Sequence, residues 1–276
     1  MRAGLVQMTA SDDPEANLSI TCALIREAAN GGADLVLTPE VTNCVSTDRA
    51  HQAKVLQPEE EDPSLQAFRK VAAEQQVWLL IGSLALRGST EDGRFVNRSF
   101  LLRPDGEICA RYDKIHMFDV SVSETETYRE SAGYRPGDRA VLTDSPWGKI
   151  GLTICYDLRF PALYRALAQA GASILTVPSA FSPVTGAAHW EPLLRARAIE
   201  TGCFLLAPAQ TGTHTATTGR TRKTHGHSLV VAPWGEVLLD AGTATGVHLV
   251  DLDLGEVAAA RGRVRSLHSD ARWTGP

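Results

Sequence analysis

Several features that would place a chain quickly are missing here. The five cysteines, Cys22, Cys44, Cys109, Cys155 and Cys203, are odd in number, widely spaced and never arranged as Cys-x-x-Cys. A disulfide framework or a cysteine-rich zinc site is therefore not expected, and a reducing cytoplasm is the natural home. No apolar run is long enough to span a bilayer, so no membrane role is expected. Met1 and Arg2 lead straight into a strand pattern containing Gln7, without the apolar core of a signal peptide. Excess positive charge is also lacking. Lys and Arg number 27 against 32 Asp and Glu, a net charge of -5, so no nucleic-acid-binding face is expected. Nor is the composition that of a disordered chain, with 43% hydrophobic and 21% charged residues. A Pro-x-Gly-Lys/Glu turn recurs at Pro104, Pro146 and Pro233, which is shared turn chemistry rather than a sequence repeat.

What is present is a long alternation of strand and helix patterns. A chain of 276 residues suits one large α/β domain or two small ones. Residues 1–8 read as a strand and 15–30 as a helix started by Pro14 and stopped by Gly31-Gly32. Residues 34–38 are a compact strand buried on both faces, 51–61 a polar loop, and 63–76 a helix. Strands follow at 77–86, 94–103 and 108–112, the last two forming a hairpin about Pro104-Asp105-Gly106-Glu107. Residues 120–137 read as a long irregular loop and 212–223 as a mobile surface loop on composition. Between them lie strands at 140–142, 149–154, 172–177 and 203–207, with helices at 162–170 and 189–200. A loop is expected from Pro178 to near Gly186, ahead of the second helix. A hairpin over 226–240, a strand at 247–252 and a short helix at 254–261 complete the chain. No linker-like boundary interrupts this, so one mixed α/β domain over 1–265 is expected, followed by an arm at 266–276.

Three polar residues stand where buried strands stop: Glu40, Lys114 and Cys155. Each has an ordinary reading when taken alone. A glutamate after a strand commonly caps a helix, a lysine is usually solvated, and a buried cysteine is usually inert packing. His116 is read as structural. If the strand ends meet at one sheet edge, the three types fit a single task. A thiolate attacks a carbonyl-like carbon, a carboxylate moves protons, and an ammonium stabilises the developing oxyanion. Cys155 lies at a strand-to-helix corner ahead of Pro161, a place that lowers a thiol pKa. Burial should raise the pKa of Glu40, and a neighbouring cation should depress it and that of Cys155.

Six stretches then carry a resemblance: Leu37-Thr38-Pro39-Glu40, Tyr112 to Asp119 around Lys114, and Gly151 to Pro161 around Cys155 are the first three. The others are Pro178-Ser179-Ala180-Phe181, His189 to Glu200, and Gly226 to Glu236. Together, in this order, they are similar over essentially the whole length to the nitrilase, or carbon–nitrogen hydrolase, superfamily. The resemblance implies an α-β-β-α sandwich that pairs into a homodimer with a four-layer sandwich. It implies Glu40 as general base, Lys114 as oxyanion stabiliser and Cys155 as nucleophile. It also implies a supporting Glu130, the backbone N–H of Tyr156 in the oxyanion site, and no metal or organic cofactor. Phe160-Pro161, Ala180-Phe181 and Thr185-Gly186 resemble the branch of amidases acting on deaminated glutathione and on omega-amides of 2-oxo acids. That branch implies Arg159, Phe181 and Thr185 in a substrate pocket, and a small linear amide cleaved through a cysteine thioester with release of ammonia. A planar guanidinium at Arg159 suits a substrate carboxylate, or equally an ion pair with a nearby acid. Other readings are a nitrilase or N-carbamoyl hydrolase on the same fold, a catalytically silent scaffold, or a metal site using His214, His225 and His227.

Overall fold

The computed structural model describes residues 1–88, 92–121, 127–269, 271, 274 and 275. In chain order the first strands are β1 (Arg2–Gln7), β2 (Leu35–Leu37), β3 (Trp78–Arg87), β4 (Phe95–Leu102), β5 (Ile108–Asp113) and β6 (Asp119–Ser121). Next come β7 (Thr127–Arg129), β8 (Tyr134–Arg135), β9 (Val141–Ser145), β10 (Gly148–Leu152), β11 (Ala172–Thr176) and β12 (Phe204–Ala207). The last are β13 (Thr211–His214), β14 (Arg222–His225), β15 (Leu229–Val231), β16 (Val237–Asp240) and β17 (Gly246–Asp251). The helices are α1 (Pro14–Asn30), α2 (Arg49–Val55), α3 (Pro63–Gln75), α4 (Pro161–Gln169), α5 (Pro183–Thr201) and α6 (Gly255–Arg263).

Two sheets stack face to face with helices outside, an α-β-β-α sandwich. One sheet runs β17-β1-β2-β3-β4-β5, with β8 also paired to β4. The other runs β16-β15-β12-β11-β10-β9. The period of two in the strands decides which way each side chain goes. Ala3 and Leu5 of β1, Leu35 and Leu37 of β2, and Leu80 of β3 face inward, packing with Ile150, Leu152 and Leu206 of the second sheet. Val6, Val36, Leu79 and Ile81 face the other way, onto Ile25 and Ala28 of α1 and Phe68 and Ala72 of α3. β2 is buried at all three positions, as its unbroken apolar run requires. On the far side, Tyr164 and Leu167 of α4 and Trp190 and Leu194 of α5 cover the second sheet. Helix starts follow local chemistry. Asp13 accepts from the N–H groups of Glu15 and Ala16, and Asp62 from that of Leu65, each with proline at the first helical position. β1 and β2 pair parallel, as do β10, β11 and β12, so their C-terminal ends share one side of each sheet.

Four expected loops differ in the structure. Residues 51–61 hold most of α2 and a 3-10 turn at Glu59–Glu61. The α2 face that is buried is polar, with Gln52 bonded to the Tyr134 hydroxyl at 2.8 Å, so no apolar period marks it. Residues 120–137 contain the β6–β7 hairpin, a 3-10 turn at Glu130–Ala132 and β8; positions 122–126 lie outside the described residues. The 212–223 segment keeps a loop at 215–221, but its two ends are the paired strands β13 and β14, where Thr211, Thr213 and Thr224 fill strand positions as β-branched residues do. Helix α5 begins at Pro183, so the loop before it ends at Ser182 rather than near Gly186. At the C-terminal end, Leu267 is buried and its carbonyl accepts from Gln169 Nε2 at 3.0 Å, so the expected arm starts by docking on α4. Positions 270, 272, 273 and 276 of that arm lie outside the described residues. Among the described residues no helix is long and apolar enough to cross a membrane.

Candidate active site

The chain leaves β2 as Thr38-Pro39-Glu40, tight against β3. A methyl group at Gly82 would overlap the carbonyl oxygens of Thr38 and Pro39, so only glycine lets the two segments pass. Gly82 N donates to Thr38 Oγ1 at 3.0 Å and Val41 N to Ser83 Oγ at 2.8 Å. Gln210 Nε2 donates to the Glu40 carbonyl at 3.0 Å. Val41 then turns the chain with φ 47°. Glu40 is thereby pinned by β3 on one side and by the segment after β12 on the other.

Lys114 follows β5 directly. Its N–H donates to the Asn97 carbonyl at 3.0 Å, and its carbonyl accepts from Gly137 N at 2.8 Å. Cys155 opens a 3-10 turn, Cys155–Arg159, beyond the end of β10. Its φ is 50°, the left-handed region that a non-glycine residue enters at a cost of about 1–3 kcal/mol. Its N–H donates to the Pro178 carbonyl at 3.0 Å. The turn is clamped by Asp157, which is fully buried. That carboxylate accepts from Ile154 N at 2.9 Å, Tyr112 Oη at 2.7 Å, His116 N at 3.0 Å and His116 Nδ1 at 2.7 Å. His116, expected to be structural, thus ties the segment after Lys114 to the turn that carries Cys155.

The functional groups converge. Lys114 Nζ lies 2.8 Å from Glu40 Oε1 and 3.1 and 2.9 Å from the two oxygens of Glu130. Phe118 N donates to Glu130 Oε2 at 2.6 Å, Ala180 N to Glu40 Oε2 at 2.8 Å, and Asn97 Nδ2 to Glu40 Oε1 at 2.9 Å. Glu40, Lys114 and Cys155 are only 3%, 2% and 6% exposed, so water screens their mutual fields little. Burial pushes the Glu40 carboxyl up, but the Lys114 ammonium, the Arg222 charge and a hydrogen bond from Cys155 together outweigh it and the net shift is downward. Burial pulls the Lys114 ammonium down, and Glu130 and Glu40 hold it well above its ordinary value. Burial, followed by the Glu40 charge, pushes the Cys155 thiol up in spite of Lys114. The expectation of an acidified thiol is therefore corrected: burial and the adjacent carboxylate outweigh both the corner position and the cation.

A cavity of about 560 Å³ opens over these groups. Glu40, Lys114, Glu130, Cys155, Tyr156 and Phe181 all line it. Tyr156 is the first residue after Cys155 in its turn, where backbone N–H groups lack a partner within the turn. Arg159 and Thr185 are not among the lining residues. The Arg159 guanidinium stands against the rings of Tyr156 and Phe181, at 5.7 and 5.6 Å, and 3.2 Å from His189 Nδ1. It faces a histidine and two rings rather than the acid of the ion-pair reading. Thr185 Oγ1 is buried without a hydrogen-bond partner. The sequence reading missed Asn97, which holds Glu40, and the cavity arginines Arg49 and Arg222. The run Arg220-Thr221-Arg222-Lys223, with no acid of its own, was the available signal for the last.

The histidine metal reading is not supported by geometry. Both ring nitrogens of His214 are occupied, by the Ala10 carbonyl at 2.7 Å and Thr224 Oγ1 at 2.8 Å. His227 Nδ1 is bonded to Asp240 at 2.9 Å.

Comparison with known proteins adds an independent line. The carbon–nitrogen hydrolase family profile matches residues 2–262. A deaminated glutathione amidase of Yersinia enterocolitica is 41% identical over 235 residues, covering 85% of this chain and 80% of that protein. The omega-amidase NIT2 of Mus musculus is 36% identical over 269 residues, covering 95% and 92%. Among solved structures, the C. elegans NitFhit protein superposes with a TM-score of 0.88 at 32% identity. That alignment takes in 98% of this chain, which spans 65% of NitFhit.

Proposed function

We propose that this chain, which belongs to the carbon–nitrogen hydrolase family, is an amidase that cuts the C–N bond of a small linear amide through a thioester on Cys155. The relatives named for deaminated glutathione and omega-amides favour that substrate range over nitriles and carbamoyl compounds. The observation that carries the reading is the 2.8 Å contact between Lys114 Nζ and Glu40 Oε1 in the same buried cavity wall as Cys155.

The chemistry follows from the resting protonation. Glu40 is an acceptor and the thiol holds its proton, so Glu40 takes that proton as sulfur attacks the amide carbon. The carbonyl electrons move to oxygen. An ammonium has three N–H donors; one serves Glu40, one is shared between the oxygens of Glu130, and the third meets the oxyanion beside Tyr156 N–H. The C–N bond breaks as Glu40 returns the proton to the departing amine, which is ammonia for a primary amide. Glu40 then takes a proton from water, hydroxide adds to the thioester, and the acid departs as sulfur recovers its proton. Glu130 has a positioning role: it fixes Lys114 and is itself fixed by Phe118 N–H. No step needs a metal or organic cofactor.

We further propose one domain that assembles as a homodimer in the cytoplasm. Five unpaired thiols suit that compartment. Exposed apolar Ile199, Trp234 and Val264 border one crevice, as a self-complementary face would. The test of the activity is amine release across amide, nitrile and carbamoyl substrates, by wild type and by Cys155→Ala. Release confined to amides and lost in the variant, with fold and assembly intact, is expected. Surviving turnover in Cys155→Ala would end the reading.

A further inference from the structure

Asn97 is an unusual residue for its place. β4 is an interior strand, paired to β3 on one side and β5 on the other, and asparagine is depleted in strands. The residue is 2% exposed and lines the cavity. Its carbonyl accepts from Lys114 N at 3.0 Å, while its side chain reaches Glu40. No step of the reaction draws on that side chain. Among the described residues, Asn97 Oδ1 is buried without a hydrogen-bond partner. Packing alone would avoid an orphaned acceptor by placing an apolar side chain there.

Four groups close a ring at this point. Lys114 Nζ lies 2.8 Å from Glu40 Oε1 and 3.1 Å from Glu130 Oε1. Asn97 Nδ2 lies 2.9 and 3.5 Å from the same two oxygens. Two carboxylates thus share one ammonium and one carboxamide, and the ring itself is one positive charge short. The neighbours dictate how the amide lies, because turned over its oxygen would face two carboxylate oxygens. The orphaned Oδ1 is the consequence of presenting both N–H groups to the acids.

The other oxygen of Glu40 accepts from Ala180 N at 2.8 Å. The charged and titratable groups facing Glu40 are Lys114 after β5, Glu130 after β7, Cys155 after β10 and Arg222 on β14. A proton on Glu40 Oε1 would therefore point into N–H donors from both Lys114 and Asn97. We infer that Asn97 is a positioning residue that holds Glu40 in its ionised form, so that a proton taken from Cys155 is passed on to the departing amine rather than kept. The inference rests on the amidase reading above and deepens it. Asn97 acts through Glu40 and is not itself a reacting group.

The experiment is the pH profile of ammonia release from the amide cut fastest in the comparison above, by wild type, Asn97→Leu and Asn97→Asp. Leucine keeps the branched shape and removes both donors. Its acid limb in kcat/KM should rise by about 1–2 pH units, the worth of one hydrogen bond to a charged acceptor. At pH ~5 its kcat/KM should fall about tenfold below wild type, and the deficit should close toward pH ~8 as Glu40 ionises. In Asn97→Asp two carboxyl groups meet and share a proton, so the limb should rise further. A deficit of equal size at every pH would reduce Asn97 to a part of the scaffold and overturn the inference. A measurement on the wild type stands even where a variant fails to fold. In NMR spectra of enzyme made with isotope-labelled asparagine, one side-chain NH2 pair should resist exchange, change in Glu40→Gln, and shift as acid titrates Glu40. If no asparagine pair responds in these ways, the inference is overturned as well. Without ammonia from any amide the amidase reading fails, and the NH2 titration alone decides the ring.

Discussion

A thiol, a carboxylate and an ammonium packed together out of water have one decisive variable, the position of a single proton. Here the Glu40 carboxyl is held low and the Cys155 thiol high, so the pair rests as carboxylate and thiol. The nucleophile is thus made at the moment of attack rather than stored as thiolate. The pH consequence is specific. kcat/KM should stay level through neutrality and fall only below the ordinary carboxylate range of about 4.3, as Glu40 gains a proton. A rise in kcat/KM tracking an ordinary thiol near pH ~8.5 would contradict this. Stability carries the same sign. A carboxyl whose folded pKa lies below its unfolded one stabilises fully above the unfolded value, and loses that contribution as pH falls through the folded one. Urea unfolding of wild type and Glu40→Gln from pH 7 down to the acid limb should show the wild type losing the more stability. Glu40, Lys114 and Cys155 were legible because each is a polar residue ending an apolar strand. Asn97 was not, because it sits inside β4 and its partner Glu40 is distant in sequence.

At the scale of elements, the site depends on how closely segments approach. Gly82→Ala would drive a methyl into the Thr38 and Pro39 carbonyl oxygens. The expected cost is about 1–3 kcal/mol, read by thermal or urea unfolding, with a fall in kcat because Glu40 shifts with Pro39. Normal stability and activity in that variant would show the crossing to be looser than described. Asp157 joins β5, the segment after Lys114 and the Cys155 turn through four donors. Asp157→Asn replaces two acceptor oxygens by one and an NH2, leaving buried donors unpaired at about 1–3 kcal/mol each. Being a positioning residue, it should lower kcat more than it raises KM. The strand–helix alternation was readable because burial on one or two faces writes itself into periods of two and 3.6. The α2 and β13–β14 segments escaped because polar contacts order them: Gln52 to Tyr134, and His214 between Ala10 and Thr224.

For the whole molecule, the two-sheet sandwich brings residues 40, 114 and 155 together because β2, β5 and β10 all end at one rim. That convergence is a tertiary fact which no local pattern contains; the order of the six motifs pointed to it through resemblance. The outer surface supports a second expectation. Trp234 is 48% exposed beneath the Arg263 guanidinium, 5.3 Å from its ring centre, and neighbours exposed Ile199 and Val264. If this is the homodimer face, Trp234→Glu should weaken self-association by at least about 30-fold, the loss of one interface anchor. Sedimentation equilibrium measures this directly. A wild-type monomer, or a variant that associates equally well, would place the contact elsewhere or remove it.

The central claim is a covalent acyl group on one sulfur. Rapid quenching during turnover of an excess of amide, followed by peptide mass spectrometry, tests it most directly. The account expects the acyl mass on the peptide bearing Cys155, strongly reduced in Glu40→Gln, where the base that takes the thiol proton is gone, and absent from Cys155→Ala. Full turnover with no acyl adduct at Cys155, or an adduct on another residue, would contradict it.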